Sequence, residues 1–308
     1  MEFIHIPVML NECIDGLNVK SDGIYFDGTL GGGGHSEAIL KKLDNSGLLV
    51  ATDRDEEAIL HTTNKLSKYQ NFKAVKSNFK NFDAVLDDLN VLNIDGAILD
   101  LGVSSYQLDN RERGFSYMGD TRLDMRMDKQ SNFSAYELIN EYSEEKLFYI
   151  LKVFGEEKFA QNIAKNIVNE RKNGKIETTK QLVDICDKSI PYKFKRDGHP
   201  AKKTFQAVRI AVNEELDGLD TVIRQIISRL NKGGRLAILT FHSLEDRIVK
   251  TVFKDLSTAC ICDKRFPCVC NRKQIIEEVN KKPITASEEE CLLNSRSKCA
   301  KLRVAEKL

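Results

Sequence analysis

The sequence is short of several things, and each absence excludes a class of protein. It has almost no net charge: 47 Lys and Arg stand against 46 Asp and Glu, leaving +1 over 308 residues. An overall basic field therefore cannot be its means of attracting nucleic acid, and any RNA surface must be local. No stretch approaches the roughly 18 apolar residues of a membrane span, and Met1 to Pro7 carries neither a basic nor an apolar leader region. The expectation is a cytoplasmic protein without a membrane partner. Internal repeats and low-complexity linkers are lacking too. Eight cysteines remain, and in a cytosolic chain these read as reduced thiols or metal ligands rather than a disulfide framework.

What is present is alternation. Residues 24–27, 48–53, 72–75 and 97–101 read as strands, and residues 36–43 and 55–66 place apolar side chains at helical spacing, with Ser36 and Asp55 as N-caps. Strand and helix alternating at this spacing predict a parallel sheet with crossover helices. From Leu108 the character changes to helical and charged. Ser134 with Glu137 and Thr178 with Gln181 fit capping boxes, while Gly155 and Gly174 fit stops. Strand patterning returns at 235–241, a helix follows over 243–256, and residues 301–305 alternate as a last edge strand would. The fold class expected is α/β: a doubly wound, Rossmann-like sheet formed by residues 1–107 and 214–308, with a helical subdomain inserted over 108–213.

The first strand runs into Asp27-Gly-Thr-Leu-Gly-Gly-Gly-Gly-His-Ser36, a glycine run that lets a ligand approach the backbone. Leu30 and Ser36 break the Gly-x-Gly-x-x-Gly dinucleotide pattern, and no Gly-Lys-Ser/Thr of a phosphate loop follows. Asp53 closes the second strand, where a carboxylate can accept both hydroxyls of a ribose. An adenosine ligand without a phosphate cradle points to S-adenosylmethionine rather than NAD or FAD. Phe79, after the third strand, is placed to stack on adenine, although such a residue read alone is more often core. Asp100 ends the fourth strand.

These residues, with Ala51 to Asp55, Leu99 to Ser105, Arg113 to Tyr117, Leu123 to Asp128, His199-Pro200, Thr204 to Arg209 and Phe241 to Arg247, resemble the bacterial 16S rRNA (cytosine-N4)-methyltransferases known as RsmH or MraW. The resemblance spans essentially the whole chain. It departs at Tyr106, where Pro is expected, and at Lys202-Lys203, where Thr-Arg is expected. It implies that Gly33, Gly34, His35, Asp53, Phe79, Asp100 and Gln107 hold the cofactor. It further implies that the insertion recognises substrate, and that the target is a cytosine of the decoding centre of 16S rRNA in the small subunit. Homodimerisation is left open.

Cytosine N4 is a weak nucleophile because its lone pair is delocalised into the ring. An acceptor aimed at its hydrogens would stabilise the charge that develops on attack, and Asp100 is the catalytic candidate, with Asp124 and His242 as alternatives. His242 reads equally as helix packing beside a cap at Ser243. His35, at a helix N-terminus, is disfavoured as a base. The basic stretch Lys193 to Lys203 reads as a solvated loop from charge alone, and as a substrate surface under the resemblance. Cys260, Cys262, Cys268 and Cys270 suit tetrahedral zinc, but Cys-x-Cys pairs are less typical than Cys-x-x-Cys; a hairpin of reduced thiols competes, and no metal is assigned to the active site. A nicotinamide oxidoreductase is denied by Leu30 and Ser36. A non-catalytic ribosome-assembly factor keeping the same fold is the remaining alternative.

Overall fold

The structure is a computed structural model that describes residues 7–263, 265 and 269–308. Cys268, one of the four clustered cysteines, lies outside the described residues. The chain forms two compact units, Met1–Gly102 with Asp217–Leu308, and Val103–Leu216.

The first unit is built on a sheet. Its strands are β1 (Ile24–Asp27), β2 (Leu48–Asp53), β3 (Phe72–Lys76), β4 (Ile94–Asp100), β5 (Leu230–Thr240), β6 (Ile276–Glu278), β7 (Ile284–Thr285) and β8 (Lys301–Lys307). They lie in the order β3-β2-β1-β4-β5-β8-β6, with β7 also paired to β8. The first five are parallel to one another, and β8 runs antiparallel to β5, β6 and β7. Chain order reverses across β1, which has β2 on one side and β4 on the other. Ligands of open α/β sheets bind at the carboxyl ends of the strands flanking such a switch.

The sequence dictates burial on both faces. Adjacent residues of one strand enter opposite apolar layers: Leu49, Ile98 and Ala237 join one cluster with Cys13, Leu17, Ile39 and Leu302, while Val50, Leu99 and Ile238 join another with Leu86, Ile223, Val249 and Phe253. Period-two alternation between two apolar layers is what parallel strands require. The helices supplying those layers are α1 (Leu10–Leu17), α2 (Gly34–Leu40), α3 (Glu56–Lys65) and α4 (Phe82–Asp88) from the first segment.

The second unit is helical and has its own core. It contains α5 (Ser105–Asp109), α6 (Ala135–Glu141), α7 (Glu144–Val153), α8 (Ala160–Glu170), α9 (Thr179–Ser189) and α10 (Lys202–Asn213), around buried Leu138, Leu151, Ile163, Ile167, Leu182 and Phe205. Both expected capping boxes form, Ser134 with Glu137 and Thr178 with Gln181. The chain then returns to the sheet unit through α11 (Leu219–Arg229), α12 (Ser243–Ser257) and α13 (Glu288–Leu293). No helix among the described residues is long and apolar enough to cross a membrane.

Two local expectations are corrected. Ser36 is not the cap of α2: the helix starts at Gly34 behind Gly33, whose φ of 72° is left-handed, and the Ser36 hydroxyl inside the helix donates to Asp27 Oδ2 at 2.6 Å. Ser243 is not the cap of α12 either. His242 is, its Nδ1 accepting from Glu245 N, while the Glu245 carboxylate returns to the backbone N–H of Phe241 and His242. Asp55 caps α3 as expected, accepting from Glu57 N at 3.1 Å.

Candidate cofactor and active site

Three carboxylates stand at the carboxyl ends of three adjacent strands: Asp27 on β1, Asp53 on β2 and Asp100 on β4. The loop after β1 is woven among them. Gly28 N donates to Ile98 O and Leu30 N to Thr52 O, which extends the parallel ladder on both sides of β1. The Thr29 hydroxyl accepts from Asp100 N at 2.7 Å, tying the loop to the end of β4, and Thr29 N donates to Asp27 Oδ1 at 3.0 Å.

The glycines here are mostly accounted for by the protein itself. A Cβ on Gly28 would meet Leu99 Cδ2 at 2.4 Å and Phe79 Cβ at 2.9 Å; one on Gly33 would meet Thr62 Cγ2 at 2.4 Å, and one on Gly34 would meet Pro7 Cγ at 2.1 Å. At these positions the missing Cβ leaves room for neighbouring side chains. Phe79 opens a short 3-10 turn and packs against the core layer that contains Phe26 and Leu99.

Asp53 uses each oxygen once: Oδ2 accepts from Gly31 N at 2.8 Å and Oδ1 from Asp55 N at 2.9 Å. Each oxygen keeps a second lone pair, the number a ribose diol needs. Burial raises its pKa to about 6 against the opposing pull of those two N–H groups. Asp27 is raised by burial as well, with the Ser36 and Thr29 bonds opposing.

Asp100 is the most perturbed of the three. Burial pushes its pKa up to about 8, and the nearby Asp27 and Glu245 carboxylates add to the shift. Its Oδ1 is buried and makes no hydrogen bond among the described residues. A stranded acceptor of this kind costs about 1–3 kcal/mol, and where one persists a missing partner is the first explanation. His35 stands beside it, Nδ1 lying 3.7 Å from Asp100 Oδ2. His35 Nε2 donates to Val8 O at 3.1 Å, which fixes the proton on that nitrogen, and burial lowers its pKa to about 4. At neutral pH the imidazole is uncharged, so the pair is not an ion pair and His35 gives Asp100 no cation.

The remaining candidates lie in the helical unit. Gln107 is buried there, and its Oε1 accepts from Ser104 N at 3.1 Å while Ser104 Oγ accepts from Gln107 N at 3.2 Å, a reciprocal cap on α5. Asp124 is spoken for: Oδ1 accepts from Arg126 N and Nε, and Oδ2 faces Arg126 Nη2 at 2.5 Å. Burial would raise its pKa, but the Arg126 bonds outweigh burial and hold it below the usual value. Sequence reasoning passed over Asp27, Thr29 and Glu245 as parts of the site. An acid at the end of the first strand was the available signal for Asp27; for Glu245, far away in the chain, it was its place in the Phe241 to Arg247 motif.

A family model described as the MraW methylase family matches residues 2–308. The chain belongs to that family. This methylase is 55% identical, over 100% of both chains, to a protein named ribosomal RNA small subunit methyltransferase H from Clostridium botulinum strain Loch Maree, and 56% identical, again over 100% of both, to the protein of that name from strain 657. Among solved structures, a putative rRNA methylase from Clostridium thermocellum aligns over 99% of this chain and 100% of its own at 12% identity, with a TM-score of 0.46. A putative methyltransferase from Streptococcus mutans, solved with SAH, aligns over 98% and 99% at 14% identity, with a TM-score of 0.42.

Proposed function

We propose that this methylase transfers the methyl group of S-adenosylmethionine to N4 of a decoding-centre cytosine in 16S rRNA, within the small ribosomal subunit and in the cytoplasm. The observation that carries the reading is the stranded Asp100 Oδ1 at the carboxyl end of β4, beside the switch point and among further buried acids. The ribosomal RNA methyltransferase name of relatives more than half identical supports the substrate class.

The residues present fit the cofactor. S-adenosylmethionine supplies, when bound, an electrophilic methyl on a positively charged sulfur. Acids that raise one another's pKa, as Asp27 and Glu245 raise that of Asp100, are suited to a cationic ligand, and such a ligand would draw the Asp100 pKa back towards the carboxylate range. Asp53 keeps acceptor capacity for a ribose, and the glycine loop holds β1 and β4 in register beneath it. Asp100 then has two tasks. It balances the charge of the ligand, and it accepts hydrogen bonds from the cytosine amine as positive charge develops on N4, which is where a fixed acceptor accelerates reaction. His35, neutral and anchored to Val8, positions rather than ionises.

The helical unit supplies the RNA-binding surface. Lys202 and Lys203 occupy the first turn of α10, whose cap residue Ala201 offers no side-chain hydrogen bond. Cations at a helix N-terminus oppose its dipole, so these lysines serve the helix poorly and a phosphate well. A target base presented to a buried methyl must be unpaired or flipped. A binding-only assembly factor would have no use for a stranded buried acceptor.

The deciding experiment supplies labelled cofactor and unmethylated small subunits, followed by nuclease digestion and nucleoside mass spectrometry. N4-methylcytidine at a single decoding-centre position is expected. Label on another nucleoside, or none with a folded, cofactor-bound protein, would overturn the assignment.

A further inference from the structure

From 258 to 275, in the connection between α12 and β6, the described residues form neither helix nor strand and none of them is buried; Ile261 and Val269 are 68% and 82% exposed. Connections this long without structure of their own are uncommon in compact domains. Arg272 anchors one end, its Nε donating to Thr258 O at 2.9 Å and its Nη2 facing Asp255 Oδ1 at 2.5 Å.

Inside the connection the sulfurs of Cys260, Cys262 and Cys270 converge, all within 4.8 Å of one another. Cys260 and Cys270 Sγ are 3.8 Å apart, and these cysteines are thiols rather than a disulfide. A disulfide would bring two sulfurs to about 2.05 Å. Two zinc–sulfur bonds of about 2.3 Å at a tetrahedral angle span roughly 3.8 Å. Two thiols merely in contact would stand equally far apart, so the third sulfur decides between the readings. In addition, Cys262 N donates to Cys260 Sγ at 3.4 Å, a bond that favours the thiolate over the thiol. Asp263, next to Cys262, is paired with Arg265 at 2.6 Å.

We infer that Cys260, Cys262 and Cys270 form a thiolate site for a soft divalent metal ion, zinc by preference, which staples the α12–β6 connection into one conformation. Thiolate sets select zinc over the hard cations. Each coordinating thiol releases its proton to solvent as the ion binds, and nothing is oxidised or reduced. The fourth corner is taken by water or a further thiol; Cys268 lies outside the described residues and contributes nothing to the geometry argued here.

The test uses full-length protein purified without a polyhistidine tag, under reducing conditions and without chelators. Elemental analysis should find about one zinc per chain, unchanged in Cys299→Ser, whose thiol lies outside the cluster, and reduced to background in Cys260→Ser/Cys270→Ser. Because metal can be lost in handling, the chelator-stripped, re-reduced parent is also titrated with cobalt(II). Sulfur-to-cobalt charge-transfer absorption with intense tetrahedral d–d bands, bleached by added zinc, is the expected result. Absence of those bands in a chain that melts like the untreated protein would overturn the site, and so would metal retained at full stoichiometry by the folded double variant.

Discussion

Asp100 in the sheet unit and Asp124 in the helical unit are both partly buried, yet they have been treated in opposite ways. Asp124 sits on Arg126 through both oxygens and its pKa is lowered. Asp100 has a neutral imidazole at 3.7 Å, acids in its surroundings and one oxygen without a bond, and its pKa is raised to about 8. The same contrast runs through the units. In the helical one, buried Arg113 spends Nη2 on the carbonyls of Arg126 and Met127, and Asn213 ties itself to the backbone of Met125 and Met127. These bonds to fixed backbone partners stabilise the helical unit. In the sheet unit Asp27, Asp53 and Asp100 are raised together. A carboxylate that loses water without gaining a cation weakens the fold, and such groups persist where a ligand completes them.

The comparison breaks most sharply at Asp100. Asp100→Asn keeps the shape and removes the charge; single-turnover methyl transfer at saturating cofactor should fall by about two decades, in the range of losing one positioned proton acceptor. A loss confined to cofactor affinity would move Asp100 wholly into binding. Asp53→Ala removes a charged acceptor worth roughly 1.5–3 kcal/mol, so cofactor affinity measured by calorimetry should drop by about one to two decades. Its thermal melt must be taken alongside, because Gly31 N and Asp55 N lose their acceptor. Unchanged affinity in a folded variant would mean that the ribose lies elsewhere.

The pH dependence of stability isolates Asp100 further. A folded-state pKa of about 8 against an ordinary 3.8 means the folded chain holds that proton longer than the unfolded one, so stability falls as pH rises between the two values. Asp53 acts with the same sign but passes its midpoint at about 6. His35 acts oppositely, since its pKa falls from 6.5 to about 4, and its contribution rises with pH and levels off above about 6.5. Between pH 6.5 and 8 the largest contribution of the three comes from Asp100. The cofactor-free protein should therefore lose up to about 2 kcal/mol over that interval, from about 1.4 kcal/mol per pH unit and one proton. Urea denaturation of Asp100→Asn should show a correspondingly flatter dependence; parallel curves would mean the carboxyl is already ionised.

Much of the sheet was legible because burial on two faces leaves an apolar run, as at Leu48–Asp53, or an alternation, as at Lys301–Lys307; the latter is not the edge strand expected, since β5 pairs on one side of it and β6 and β7 on the other. β5 begins at Leu230, before its expected start, because Asn231-Lys232-Gly233-Gly234 reads as a turn; the structure accommodates it with a left-handed Gly233 and a register shift opposite Ile94 and Gly96. β6 and β7 are too short to carry a period and exist only through pairing with β8. The ends of α2 and α12 misled for a related reason: a serine near a helix start is the commonest cap, but Ser36 is held by Asp27, and His242 takes the role left to Ser243. At the site, residue types at strand ends were readable one by one. The electrostatic state of Asp100 was not, since it depends on Asp27 and Glu245, which only the fold brings near.

The smallest effect probes the other side of the comparison, where charge is exposed rather than buried. Lys203 Nζ donates to Glu156 O at 3.1 Å, Lys202 is exposed, and both sit at the α10 N-terminus. Lys202→Ala with Lys203→Ala should weaken RNA binding several-fold per lysine near physiological salt while leaving cofactor affinity intact, because the acids expected to hold the cofactor belong to the sheet unit. If each lysine neutralises a phosphate, the slope of log affinity against log salt becomes shallower by roughly 0.7–0.9 per lost contact, the lower figure for single-stranded RNA. The helix itself should be slightly steadier without two cations in its first turn, so a thermal melt equal to or above the parent's separates loss of contact from loss of fold. Affinity and salt slope matching the parent in such a variant would show these lysines to be a solvated face, and the substrate surface would then be sought at Arg111 and Arg122.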